Sequence, residues 1–284
     1  ARMTCDFLGL RPGDTALLCL SLDYIAGKMM VVRSLERGLR MTAVAPTGHP
    51  LASPETAGKV FSLVAMVPLQ VYNTLQDSEE RDRLQQVRHL IIGGGAIDDG
   101  LTHQLKDFPN NVWSTYGMTE TLSHIALRRL SGVHASEWYE PFSGVSVSVN
   151  GDGCLVINAP YVCSESLVTN DIAEMHGDGR RFRILGRKDN VVCSGGLKIQ
   201  IEEVERLLRP HITTPFLITR RPDPQLGEAL VMLTEATDTA PLQALCQTVL
   251  PKYWLPRDYM TVKRLPLTET GKPARREAER MTLS

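Results

Sequence analysis

The 284-residue chain has no apolar run long enough to span a bilayer, and no signal-peptide core near its N-terminus. Neither a membrane-spanning nor an exported protein is expected. An excess of charge is also missing. With 31 basic and 32 acidic residues the formal net charge is -1, so nothing electrostatic points to nucleic acid or an anionic membrane as partner. Cysteine is sparse: Cys5, Cys19, Cys154, Cys163, Cys193 and Cys246 are scattered, with no C-x-x-C pair. That argues against metal ligation and a disulfide framework, and makes a reducing cytoplasm the expected compartment. Repeats and low-complexity tracts are lacking, and so is an initiator methionine. The opening ARMTCDFLGL reads as the inside of a helix, so a fragment is expected. What remains is a globular composition, enough for one large domain or a large one plus a small one.

The first half alternates strands and helices. Ala16 to Leu20 and Met41 to Ala45 read as strands; Ile25, Met29, Val32 and Leu35 recur between them at helical spacing. Val60 to Pro68 and Arg88 to Ile92 continue the series around a charged helix, Asp77 to Gln86. This order predicts an α/β fold with a mostly parallel sheet, whose ligands sit outside the carboxyl ends of its strands. From about Ser143 the pattern becomes β-hairpins: Val145 to Val149 with Cys154 to Ile157, then Ile172 to Met175 with Arg181 to Leu185. After Gly186 it becomes mixed α+β, with helices at Ile201–Leu208, Pro241–Leu250 and Arg275–Met281 and strands at Pro215–Thr219 and Ala229–Thr234. The expected architecture is a large domain of parallel sheet layers with a small β-subdomain (1–186), then a small α+β domain (187–284).

The chemistry concentrates in Ser114-Thr115-Tyr116-Gly117-Met118-Thr119-Glu120-Thr121, expected to follow a strand ending at Trp113. Tyr116 can seat a planar base, Gly117 can admit a phosphate, and Thr119 and Glu120 can serve phosphate and metal. The same stretch also suits an ordinary strand-to-loop turn. Four further segments have equally ordinary readings when taken singly. Asp171, placed after a strand, can take both ribose hydroxyls or simply close a turn. Gly186 to Asn190 is a charged link, Ser194-Gly195-Gly196-Leu197-Lys198 a small-residue loop, and Thr270 to Pro273 a tight turn with one lysine, Lys272.

Their order is less ordinary. Gly93-Gly94-Gly95-Ala96, STYGMTET, TND, LGRKDN, SGGLKI with its Glu202-Glu203-Val204-Glu205 helix, and TETGKPAR span most of the chain. In this order they resemble the adenylate-forming superfamily of acyl-CoA synthetases, luciferases and peptide-synthetase adenylation domains. The resemblance implies an acid–thiol ligase that joins a small carboxylic acid to ATP, giving acyl-AMP and pyrophosphate, then transfers the acyl group to coenzyme A. It implies that Gly94, Gly95 and Ala96 enclose the adenine with Ser114, Thr115, Tyr116 and Gly117. Thr119 would bind the α-phosphate, Glu120 Mg2+, Asp171 and Arg187 the ribose, and Lys272 would act as catalytic cation. It further implies a mobile C-terminal lid turning about Lys188 or Asp189, which exchanges Lys272 for the Ser194, Gly195, Gly196 and Lys198 loop. Two departures stand out. The superfamily's phosphate loop finds no counterpart, Ala45 to Pro50 being in the wrong order, and Asn170 occupies a position where glycine is usual.

LDYIAGKMMVVRSL and STYGMTETLSHIALRRL resemble most the o-succinylbenzoate–CoA ligases of menaquinone synthesis. Such a substrate is a dianion whose second carboxylate needs an anchor. Lys28, ranked first, His124 and Arg128 are the candidate anchors, with plain readings as surface lysine, core histidine and solvated arginine; Ser123 and His124 follow the motif closely enough to line the acyl pocket. The alternatives are another aryl or acyl acid–CoA ligase, an enzyme loading a carrier protein, or a non-catalytic adenylate-binding module.

Overall fold

A computed structural model of the chain describes every residue except Ala96, Asp98, 269–272 and Ser284. Two compact units emerge: Ala1–Thr169 with Glu174–Arg183, and Asn170–Ala173 with Ile184–Ser284.

In the first unit β1 (Thr15–Leu18), β2 (Arg40–Ala43), β3 (Leu63–Met66), β4 (His89–Ile92) and β5 (Asn111–Gly117) pair in parallel, in the order β2-β1-β3-β4-β5. β6 (His124–Arg129) and β7 (Glu140–Pro141) extend the sheet antiparallel. Every residue of β3 and β4 is buried, as expected of central parallel strands covered on both faces. Leu17, Val64, Met66, Leu90, Ile92 and Val112 form the core. The helices α1 (Arg2–Phe7), α2 (Ile25–Arg37), α3 (Pro68–Gln76), α4 (Ser78–Gln85) and α5 (Asp99–Lys106) accompany these strands. Local chemistry sets their limits. Pro68 opens α3 where its missing N–H is harmless. The Asp77 carboxylate accepts the Glu80 amide at 2.9 Å to cap α4, and Gly38 closes α2 at φ +64°.

The hairpin of β8 (Ser146–Val149) and β9 (Cys154–Asn158) turns on Asn150, whose side-chain oxygen accepts the Asp152 and Cys154 amides at 3.0 and 2.9 Å. β10 (Leu167–Met175) and β11 (Phe182–Arg187) complete a four-stranded sheet, β11-β10-β9-β8, and contribute residues to both units. In the second unit β12 (Val191–Ser194) and β13 (Leu197–Gln200) form a hairpin leading into α6 (Ile201–Leu208). β14 (Phe216–Asp223), β15 (Gly227–Thr234), α7 (Ala240–Val249), β16 (Asp258–Thr261) and α8 (Arg275–Met281) follow. Val192, Ile199, Val204, Leu208, Ile218, Leu230 and Met232 fill its core.

Two expectations need correction. β5 does not end at Trp113 but runs to Gly117, because its ladder with β6 carries on through Ser114, Thr115 and Tyr116. Asp171 likewise lies inside β10 rather than after a strand.

Candidate active site

The glycines after β4 and the Ser114–Thr121 segment lie at the ends of β4 and β5. Ile92 pairs with Ser114, so the glycines after β4 lie beside the end of β5. A Cβ on Gly93 would stand 2.4 Å from Thr115 Oγ1, so a side chain here would push that hydroxyl aside. Gly94 takes φ +81°. Ala96 lies outside the described residues.

Ser114 and Tyr116 share a face of β5. Ser114 is buried, and its hydroxyl lies 2.8 Å from Tyr139 Oη, so it serves the wall of the site. Tyr139 stacks on Phe182 at 5.5 Å between centroids, and Tyr116 meets the Phe182 ring edge-on at 5.1 Å. The Arg128 guanidinium covers Tyr139 at 5.4 Å, so this candidate anchor belongs to the aromatic cluster. Gly117 has a structural part in the sheet. A Cβ there would stand 2.4 Å from Ser123 O and from His124 Cα, and the ladder is irregular at Tyr116/Gly117. Glycine is required by this crossing of β5 and β6.

Beyond β5 the chain makes a 3-10 turn over Thr119–Thr121 that leaves Thr119 and Glu120 exposed. Thr121 is buried and holds the turn. Its hydroxyl lies 3.0 Å from the Met118 amide and carbonyl and 2.8 Å from Ser123 O. Leu122 takes φ +60°, the only described non-glycine residue with positive φ. Strain of this kind gathers at functional turns. Among the described residues no group of three or more His, Cys, Asp or Glu could hold a metal.

Sequence reasoning overlooked Arg33. Gly27, Met30 and Arg33 mark the buried face of α2, and Arg33 is only 2% exposed. It donates to Ser123 Oγ at 2.7 Å and approaches His124 Nδ1 at 3.4 Å. Its Nε is buried without an acceptor, and no ion pair to it occurs among the described residues. Desolvation pulls its pKa to about 10, so it stays charged at neutral pH. Desolvation, then the Arg33 guanidinium, hold His124 well below its ordinary value. The neutral ring accepts at Nδ1 and donates from Nε2 to Thr4 Oγ1 at 3.0 Å. Ser123 and His124 are thus brought together around Arg33. Lys28 is exposed on α2 and is not part of this cluster's hydrogen bonding. No periodicity marked it, since Ile25, Val32 and Leu35, apolar at helical spacing, are exposed while the buried face carries Gly27, Met30, Arg33 and Ser34.

The remaining candidates lie in the second unit. Arg187 Nη1 reaches Asp171 Oδ1 at 3.3 Å, and its other terminal nitrogen lies 3.4 Å from Asp189 Oδ2. Asp171 and Arg187 are therefore adjacent, and Lys188 and Asp189 are exposed in a 3-10 turn just beyond. Ser194 and Leu197 pair across a two-residue turn in which Gly195 and Gly196 take φ +57° and +83°; Lys198 is exposed. Lys272 lies outside the described residues.

Residues 1–153 match the family model described as AMP-binding enzyme. A 2-succinylbenzoate–CoA ligase of Geobacillus sp. (strain WCH70) is 23% identical, over 96% of this chain and 62% of the relative. That of Listeria monocytogenes is 24% identical, over 93% and 61%. The chain thus spans a little over three-fifths of the length of these curated relatives. Among solved structures, an acyl-CoA synthetase (AMP-forming)/AMP-acid ligase II-like protein from Dyadobacter fermentans is 34% identical, covering all of this chain and 82% of the other, with a TM-score of 0.64. The Bacillus subtilis o-succinylbenzoate CoA synthetase, in complex with its acyl-adenylate intermediate, is similar in fold: TM-score 0.81, 20% identity, 98% and 63% coverage.

Proposed function

Because the chain belongs to the AMP-binding enzyme family, we propose that it serves an AMP-forming acid–CoA ligase whose acid carries a second carboxylate, with o-succinylbenzoate the first candidate. The observation that carries this reading is Arg33, a buried guanidinium with an unused Nε and no ion pair among the described residues. A buried cation without a counter-charge is costly, and a substrate carboxylate meeting it recovers that cost. The 2-succinylbenzoate–CoA ligase relatives support the choice of acid.

In the first step a carboxylate oxygen attacks the α-phosphorus of ATP, and the bond to pyrophosphate breaks. Thr119 offers a hydroxyl to the α-phosphate, Tyr116 a ring to the base, and Asp171 with Arg187 the ribose contacts. Lys272 supplies the cation that the meeting of two anions requires. Mg2+, held by Glu120, would screen the phosphates. In the second step the coenzyme A sulfur attacks the acyl carbon and AMP leaves, while the thiol proton passes to solvent. Between steps the 187–284 lid turns about Lys188 or Asp189, withdrawing Lys272 and presenting the Ser194–Lys198 turn. Ser123 and the neutral His124 fix where the Arg33 charge points.

The full-length protein is expected to release pyrophosphate with o-succinylbenzoate and ATP, and to form the CoA thioester when CoA is added. No release with a panel of aryl and alkyl dicarboxylates would leave only an adenylate-binding module. Acid-dependent ATP exchange without CoA thioester would point to carrier-protein loading.

A further inference from the structure

We propose that the first unit holds a second ligand site, on the sheet face opposite Tyr116, where Trp113, Trp138 and Arg129 take a small planar aromatic carboxylate.

Trp113 pairs with Arg129 across β5 and β6, and Leu127 with Glu140 across β6 and β7. Directly paired residues share a sheet face, and successive residues of a strand change face. Trp113, Leu127, Arg129 and Glu140 therefore line one face, while Ser114 and Tyr116 belong to the other. Trp138, in the loop before β7, and Arg181, in the β10–β11 connection, wall this face and enclose a cavity of about 570 Å³. Small-molecule sites have volumes of roughly 300 to 1,000 Å³. All of the lining belongs to the first unit. Gly117, which pairs with His124, stands four residues beyond Trp113, or about 13 Å along the strand. The cavity is thus separate from the cluster of Ser123, His124 and Arg33.

Arg129 is the charge that this cavity leaves unanswered. Its Nε donates to Ser131 O and Oγ at 3.0 and 3.2 Å, and its guanidinium carbon lies 5.0 Å from the Trp113 ring centre. Among the described residues no ion pair or further hydrogen bond engages its terminal nitrogens. Desolvation lowers its pKa, as expected of a charge partly withdrawn from water. The other charges named on the lining are paired: Arg181 with Asp178 at 2.6 Å, and Glu140 with Arg180 at 3.5 Å. A guanidinium held along one edge offers its remaining donors to a carboxylate. Both indoles are braced. Phe7 meets Trp113 edge-on at 5.4 Å, His176 meets Trp138 edge-on at 4.9 Å, and Arg183 lies 5.0 Å from the Trp138 ring. Two fixed apolar rings beside one unpaired cation match a flat apolar body that carries one negative charge. A bare phosphate would use the cation and leave the rings idle.

The test is a titration of the full-length protein, isotope-labelled at its tryptophan nitrogens, with 2-naphthoate, its uncharged counterpart 2-naphthamide, and inorganic phosphate. The naphthoate should shift the indole N–H resonances of Trp113 and Trp138 and leave that of Trp254, which packs in the second unit, unmoved. A hydrogen-bonded charge is worth at least about tenfold in affinity, so the naphthamide should bind at least that much more weakly. Phosphate, which lacks the ring, should also bind more weakly than the naphthoate. Arg129→Met should weaken naphthoate binding at least about tenfold, while Arg33→Met leaves it unchanged. The comparison of naphthoate with naphthamide uses the unsubstituted protein and needs no variant to fold. Unmoved Trp113 and Trp138 resonances, or equal affinity for the naphthamide, would overturn the site. Phosphate binding as tightly as naphthoate would reduce it to a bare anion site and overturn the ligand class. A loss in Arg33→Met and none in Arg129→Met would place the acid in the Arg33 cluster and overturn the proposal equally.

Discussion

His89 shows how one residue ties the sheet to pH. It is 8% exposed at the start of β4 and accepts from Trp113 Nε1 at 3.4 Å. Burial first, then the Arg88 and Arg129 guanidiniums, lower its pKa from 6.5 to about 4. The folded chain therefore refuses a proton that the unfolded chain takes up. Stability from this group is complete above about pH 6.5 and is lost as pH falls towards 4, by about 3 kcal/mol at most. His124 is shifted in the same direction and adds to that slope. Unfolding free energies between pH 7 and 4.5 should fall with acid, and His89→Gln should flatten part of the fall. An unchanged slope in the variant would refute the assignment.

At the scale of elements, period and turn chemistry made most of the fold legible. The buried runs of β3 and β4, the Asn150 turn and the Glu202–Glu203 start of α6 each carried a local signal, and each element formed. The ends of β5 and β10 did not. Whether Ser114 to Tyr116 continues a strand depends on β6 pairing beside it, a long-range ladder that no local pattern announces. Arg33 escaped for a related reason, since its meaning comes from Ser123 and His124, far away in sequence. The turn linking β5 to β6 offers its own check. Leucine at φ +60° is strained by about 1 kcal/mol, and glycine would adopt the same backbone freely. Relief of that strain is offset in part by the greater freedom of glycine in the unfolded chain, so Leu122→Gly should change the unfolding free energy by less than about 1 kcal/mol. A loss of 1 kcal/mol or more by chemical denaturation would mean that the exposed leucine contributes packing instead.

At the scale of the whole molecule, the candidate residues divide between two units. Arg33, Tyr116, Thr119 and Glu120 belong to the first, and Asp171, Arg187 and the Ser194–Lys198 turn to the second. Lys272→Ala is expected to lose pyrophosphate release by a factor of about 100 to 1,000 while retaining thioester formation from supplied acyl-AMP. Equal loss of both steps would contradict an alternating lid. The central claim, however, is the pairing of Arg33 with a second substrate carboxylate. It is tested most directly by calorimetric binding of two stable o-succinylbenzoyl-adenylate analogues, with and without the ring carboxylate, to the unsubstituted chain and to Arg33→Met. Removing one partner of a buried charge pair costs about 2 to 5 kcal/mol. Deleting the ring carboxylate should weaken binding to the unsubstituted chain by at least about 30-fold and leave binding to Arg33→Met nearly unchanged. An equal loss in both proteins would contradict the account.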